Sequence, residues 1–290
     1  MIKFLVLDLD GTLLDSQGKV SSKNKSAIIA AQKQGALITV ATGRRFRDAR
    51  PVALEIGFNL PIITHNGALI KFAESLEIFN QSIIKQQTIN EILRIGKEFG
   101  SEVLVSTDPL GKGTLFYDTV SEKNIPLQKY IVWSKILHGK EAEESVIHVN
   151  NLHEAVKEAE VIHISFSGTC EPMAELETIL KTELGNSVNV LATRYPHLDF
   201  TLLDILPPNT SKATAIDKIA TKHDISSKNV MAVGDNFNDV EMLEYAGLPI
   251  IMGNAAEGLL HREEFYKTLS NDENGVAEAI NKYILGDING

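Results

Sequence analysis

Three aspartates, a lysine and a threonine stand where a buried phosphate chemistry would need them. Asp8 and Asp10 close the apolar run Phe4-Leu5-Val6-Leu7. They lie two positions apart, so in extended backbone they point the same way, and Gly11 lets the chain turn sharply behind them. Asp235 ends a second apolar run, Asn229 to Gly234. Buried strand ends that carry acids are costly unless the acids meet a cation or hydrogen-bond donors. Asp8 and Asp235 together suit a hard cation, and oxygen ligands that retain water suit Mg²⁺. Lys212 opens a helix after Pro207-Pro208, so its ammonium and the helix N-terminus both offer positive charge. Thr42 adds a hydroxyl, and Gly43 permits close backbone approach. Metal, lysine, hydroxyl and backbone donors describe a phosphate site. There a carboxylate can attack phosphorus to give an aspartyl-phosphate. A second carboxylate can serve the leaving alcohol as acid and the incoming water as base.

These residues are far apart in sequence, and a parallel α/β sheet would gather them. Apolar runs at 4–7, 36–41 and 61–64 alternate with helical spacing at about 22–34 and 46–56, the pattern of strands with crossover helices. Each run ends in a polar group: Asp8 and Asp10, Thr42, Asn66. The alternation resumes with a helix at 211–221, the strand ending at Asp235, a helix at 239–246, a strand at 249–252 and a helix at 276–285. Ligands in open α/β sheets bind outside the carboxyl ends of the strands, which brings these groups to one edge. Between lies a different pattern. Helical spacing at 88–99, 122–138, 152–160 and 171–184 is interleaved with strand-like runs at 102–107, 114–119, 161–167, 188–193 and 197–206. The expected fold is α/β, a Rossmann-like, doubly wound parallel-sheet core over residues 1–83 and 208–290, with an inserted α+β cap over 84–207.

Asp8-Leu9-Asp10-Gly11-Thr12, Thr42-Gly43-Arg44, Lys212 and Gly234-Asp235-Asn236-Phe237-Asn238-Asp239 stand in the order and spacing of the haloacid dehalogenase superfamily of phosphatases. The insert between the second and third motifs resembles the Cof-type subgroup with a large α/β cap, as do Ile62 to Ala68 and Ile251 to Ala255. The resemblance implies that Asp8 is the nucleophile and a Mg²⁺ ligand. It makes Asp10 the general acid/base, binding the metal through its carbonyl, and Asp235 the third protein ligand. It assigns Thr42, Gly43, Lys212 and Asn238 to the phosphoryl group, with Asp239, Arg44 and Asn66 in support. Ala213 departs from the family's glycine after the motif-three lysine.

The implied activity is a Mg²⁺-dependent phosphomonoesterase acting on a small phosphorylated metabolite. The same core would also suit a phosphotransferase or mutase, and a phosphometabolite-binding regulator without turnover is the alternative from another class. A net charge of −10 on 290 residues argues against nucleic acid. No apolar run approaches the roughly 20 residues a membrane span needs, and no obligate protein partner is indicated. Cys170 is the single cysteine, which rules out an intrachain disulfide and fits the cytoplasm. Most of Arg44, Arg45, Arg47 and Arg50 are expected on a solvated helix face. His148, His153 and His163 lack metal spacing, Trp133 and Phe116-Tyr117 are expected in the cap core, and Asp217 and Asp224 on the surface.

Overall fold

The computed structural model describes residues 1–286. The chain divides into two compact units: Met1–Gly43, Ala49–Phe79 and Ser211–Gly290 form one, Arg44–Asp48 and Asn80–Thr210 the other.

The first unit is built on a five-stranded parallel sheet in the order Tyr266–Lys267, Leu248–Ile251, Val230–Gly234, Phe4–Leu7, Leu37–Val40. Phe4–Leu7 lies inside, paired in register with Val230–Val233 on one side and Leu37–Val40 on the other. Phe4, Val6, Val230 and Ala232 share one face and pack with Ala215, Ile216 and Ile219 of the helix Lys212–Lys222. Leu5, Leu7, Met231 and Val233 alternate with them and are equally buried. Both faces are therefore covered, which is why these strands are continuous apolar runs. The helix Ser22–Lys33 starts where Ser21 accepts from the Asn24 amide, and it packs on the helix Gly275–Ile280.

The strand Ile62–Thr64 continues the sheet only through a bridge between Ala41 and Ile63. Its other edge pairs antiparallel with Leu69–Lys71 through the turn His65–Gly67. Gly67 has φ +105°, and a Cβ there would lie 2.2 Å from the Ser211 carbonyl oxygen. The turn thus sits directly against the N-terminus of the Lys212 helix.

The second unit carries a six-stranded sheet in the order Asn189–Tyr195, Phe200–Leu206, His163–Gly168, Val103–Thr107, Thr114–Tyr117, Val146–His148. All pairs are antiparallel except the last. Helices Gln86–Phe99 and Cys170–Leu184 bury Ile89, Ile92, Leu176 and Leu180 with Val103, Val105, Ile164 and Phe166. A third helix, Ile125–His138, packs Leu127 and Ile131 on Leu104, Leu115 and Val146. Its start falls later than the spacing suggests, because the Asn124 side chain accepts from the Leu127 amide and Pro126 fills the first turn.

Several elements depart from expectation. Strands Leu69–Lys71, Ile78–Gln81, Val146–His148 and Tyr266–Lys267 are too short to show a period. The helix expected over 152–160 ends at Val156, and the last helix passes into a π-turn at Asn281–Leu285. Trp133 is exposed, because the helix Ile125–His138 turns Leu127, Ile131 and Ser134 inward instead. His163 is buried against Asp204, Nε2 to Oδ1 at 2.8 Å.

Candidate active site

Asp8 follows the last residue of the inner strand Phe4–Leu7 and is buried. Asp235 follows the neighbouring strand, whose last residue Gly234 pairs beside Ile251. Lys212 is the first residue of its helix, capped by Ser211 in a reciprocal pair with Thr214. That cap fixes the direction in which the lysine leaves the helix. Lys212 is itself buried, and its Nζ donates to Asp8 Oδ1 at 2.6 Å and to Asp239 Oδ1 at 2.6 Å.

Asp239 closes the short turn Phe237–Asp239. Its Oδ2 accepts from the backbone amides of Asp235 (3.0 Å) and Asn236 (3.2 Å). Its two oxygens thus receive three donors, and it ties the Asp235 loop to Lys212. Asn238 lies half-buried in the same turn. Asp235 Oδ1 accepts from the Thr12 hydroxyl at 2.9 Å. Gly11 is required beside it: φ is +80°, and a Cβ there would lie 2.4 Å from Asp235 Oδ2. The Gly11 carbonyl accepts from Asn254 Nδ2 at 2.8 Å, and Asn254 Oδ1 accepts from the Asn271 amide at 2.9 Å. Asp10 is exposed, its backbone bridged to Leu14. Thr42 is buried, its amide donating to the Ile63 carbonyl and its carbonyl accepting from the Asn66 amide, each at 3.0 Å. Thr42, Gly43 and Asn66 therefore form one joined turn.

Carboxylate oxygens of Asp8, Asp235 and Asp239 lie within 4.8 Å of one another. Burial pushes the Asp8 carboxyl well above the usual range, the charges of Asp239 and Asp235 push the same way, and Lys212 only partly opposes them. Burial, then Asp239, pushes Asp235 up to about 7 against the Thr12 hydrogen bond. Burial works against the charge on Lys212, but Asp239 and Asp8 outweigh it and hold the ammonium above its ordinary range. Three carboxylates face one ammonium, so the donor set fits a divalent cation. Asp239 already receives three donors, Asp8 and Asp235 one side-chain donor each, so the latter two are the side chains that could hold such an ion.

Thr12 and Asn254 were not among the residues expected at the site. Thr12 stands in the first motif, but only the fold shows that its hydroxyl reaches Asp235. The arginines also differ from expectation. Arg45 and Arg47 are each 5% exposed rather than solvated. Arg44 lies 5.4 Å from the Trp133 ring centre, a cation–π contact within the second unit. Asp217 accepts from the Tyr245 hydroxyl at 3.0 Å.

A parallel sheet with an acid at the end of each of two neighbouring inner strands, and a buried lysine paired with Asp8 and Asp239, is a core of the Rossmann-like class. The sequence model of haloacid dehalogenase-like hydrolases matches residues 5–280, and the chain belongs to that family. The 5-amino-6-(5-phospho-D-ribitylamino)uracil phosphatase YwtE of Bacillus subtilis (strain 168) is 28% identical, over 98% of this chain and 99% of its own length. Phosphatase YwpJ of the same organism is also 28% identical, over 98% and 100%. The crystal structure of a haloacid dehalogenase-like hydrolase from Bacteroides thetaiotaomicron superposes with a TM-score of 0.78 at 26% identity, covering 97% of this chain and 99% of that one.

Proposed function

We propose that this hydrolase is a Mg²⁺-dependent phosphomonoesterase of the cytoplasm, acting on a small phosphorylated metabolite through a phosphorylated Asp8. The observation that carries the reading is the buried lysine shared between Asp8 and Asp239, beside Asp235. Asp8 and Asp235, with the Asp10 carbonyl, would hold Mg²⁺. When bound, the ion supplies positive charge against the phosphoryl oxygens and keeps Asp8 ionised. Lys212 orients the Asp8 carboxylate and neutralises charge on the phosphoryl group. Thr42, Gly43 and Asn238 receive the phosphoryl oxygens, Asn66 braces the Thr42 turn, and Arg44 stands next to it in sequence.

An Asp8 oxygen forms the bond to phosphorus as the ester P–O bond breaks, and Asp10 gives its proton to the leaving alkoxide. Water then attacks phosphorus, gives its proton to the Asp10 carboxylate, and releases Asp8 and inorganic phosphate. Exposure of Asp10 suits this role, since its proton must reach both alcohol and water. The names of YwtE and YwpJ as phosphatases support hydrolysis rather than transfer to another acceptor. A panel of phosphorylated metabolites assayed for phosphate release with and without Mg²⁺ tests the proposal. Release from at least one ester, dependent on Mg²⁺, is expected. Ligand binding without release would refute it in favour of a regulator, and phosphorylated acceptor in place of free phosphate would mark a transferase.

A further inference from the structure

Asn254 is exposed, yet both ends of its side-chain amide are engaged. Its Nδ2 donates to the Gly11 carbonyl at 2.8 Å, and its Oδ1 accepts from the Asn271 amide at 2.9 Å. A donor facing a carbonyl and an acceptor facing an N–H fix which way the amide points. Asn271 is held in turn, because its Nδ2 donates to the Leu14 carbonyl at 2.9 Å. Gly11, Leu14, Asn254 and Asn271 all belong to the first unit.

The loop that receives the Asn254 bond carries Asp8 and Asp10. Its base is closed by backbone bonds: the Leu9 carbonyl accepts from the Thr12 amide at 3.3 Å and from the Leu14 amide at 2.9 Å. Its tip is the pair Asp10-Gly11. Gly11 has φ +80° and no side chain to limit its rotation, so the loop is softest beside Asp10. Asn254 takes hold of the backbone there, one peptide beyond Asp10.

The support behind Asn254 is firm. The Gly253 amide donates to the Leu269 carbonyl at 3.0 Å, and a Cβ on Gly253 would lie 3.0 Å from the Ser270 nitrogen. Residues 269–275 close on themselves. The Ser270 amide and hydroxyl both donate to Glu273 Oε2, at 3.3 and 2.7 Å, and the Gly275 amide donates to the Ser270 carbonyl at 2.9 Å. The same segment reaches the second acid loop, since the Ala256 amide donates to the Asp235 carbonyl at 2.9 Å. Residues 252–256 thus join the loops of Asp10 and Asp235. An exposed hydrogen bond adds little stability. At a flexible joint beside an acid/base group, it fixes position instead.

We infer that Asn254 is a positioning residue for Asp10: its bond to the Gly11 carbonyl locks the glycine joint and so keeps the Asp10 carboxyl at the leaving oxygen. This rests on the acid/base role proposed for Asp10. In the step served, an Asp8 oxygen bonds to phosphorus and the ester P–O bond breaks. The bonding pair goes to the leaving oxygen, which takes the Asp10 proton. A basic leaving group needs that proton, and a weakly basic one departs without it. Loss of the brace should therefore cost most on basic leaving groups.

The test compares phenyl phosphate with p-nitrophenyl phosphate on the full chain with Mg²⁺. The two esters have similar shapes, and phenol is the more basic leaving group. The quotient kcat/KM covers the steps up to departure of the alcohol. In Asn254→Ala it should fall about tenfold to hundredfold on phenyl phosphate and stay within about threefold on p-nitrophenyl phosphate. Asn254→Asp keeps the acceptor for the Asn271 amide and loses the donor to Gly11, so it should match Asn254→Ala. Tyr245→Phe removes a hydrogen bond to Asp217 in the same unit and should leave the ratio between the esters unchanged. Hydrogen exchange in chelator, read on peptides spanning residues 8–15, should quicken in both Asn254 variants. Equal losses on the two esters, or none, overturn the inference, as does wild-type exchange in this loop. If the wild type hydrolyses neither ester while Asn254→Ala still loosens the loop, the brace stands and the phosphatase reading fails.

Discussion

Lys212 Nζ lies 2.6 Å from Asp8 Oδ1, and both groups are buried. The pair is joined by Asp239, so, among the described residues, the lysine is the one ammonium paired within this group of three acids. Lys212→Met would leave those carboxylates facing one another without a cation. Removing one partner of a buried ionic cluster costs about 3–5 kcal/mol. Urea unfolding in chelator should show a loss of that order, and saturating Mg²⁺ should recover part of it. An unchanged midpoint in chelator would show that the lysine does not carry the cluster.

Asp8→Asn removes the proposed nucleophile while keeping its shape. Turnover should fall by at least ~10³-fold, with the circular dichroism spectrum unchanged. Phosphate release at the wild-type rate would exclude Asp8 as the attacking group.

The pH dependence should differ with and without metal. Asp235 titrates at about 7 in the folded protein, against roughly 3.9 in an unfolded chain. Between those values the folded state holds a proton that the unfolded state has lost, so this group lowers stability as pH rises from about 4 to 7. A bound cation displaces that proton. Mg²⁺ binding near pH 6 should therefore release protons, and its affinity should rise with pH until about 7. Calorimetry in two buffers of different ionisation enthalpy measures the release; identical heats in both would contradict it.

Asp48 behaves in the opposite sense. Burial alone would raise its pKa, but the His138 hydrogen bond, the Arg45 charge and the Tyr130 hydrogen bond hold it well below the usual carboxylate range. Its stabilisation is present above about pH 4 and is lost as pH falls toward that depressed value. Wild type should lose stability below pH 4 more steeply than Asp48→Asn. Parallel acid-unfolding curves would show that the ionised form is not favoured by folding.

Gly11→Ala tests the cradle around Asp235. The residue would need a positive φ and would press a methyl against the Asp235 carboxylate. The strain should cost about 1–2 kcal/mol, and Mg²⁺ affinity should fall as the carboxylate shifts. Wild-type Mg²⁺ binding in a folded Gly11→Ala protein would show that Asp235 has room to spare.

Local pattern carried much of the core. The run Phe4 to Leu7 is a strand because it is apolar without interruption, and the helix Phe46–Ile56 is bounded as its spacing indicates. Acids at two strand ends place Asp8 and Asp235 at one sheet edge on sequence pattern alone, since parallel strands share a direction. The arginines after Gly43 show where such reading stops. Nothing in residues 44–48 reveals that Tyr130, Ser134 and His138 await them, more than eighty residues on, so a buried network looks like a solvated helix face. The same holds for the hydroxyl of Thr12 on Asp235 and for the parallel pairing of Val146–His148 with Thr114–Tyr117. Residue type and period determined the elements, the motif order and the acids at the sheet edge, because those depend on neighbours in the chain. Tertiary structure alone decided which charges are buried, which donors meet Asp48 and Asp239, and how far Asp8 and Asp235 are pushed toward protonation. Those properties depend on groups brought together across long sequence separations.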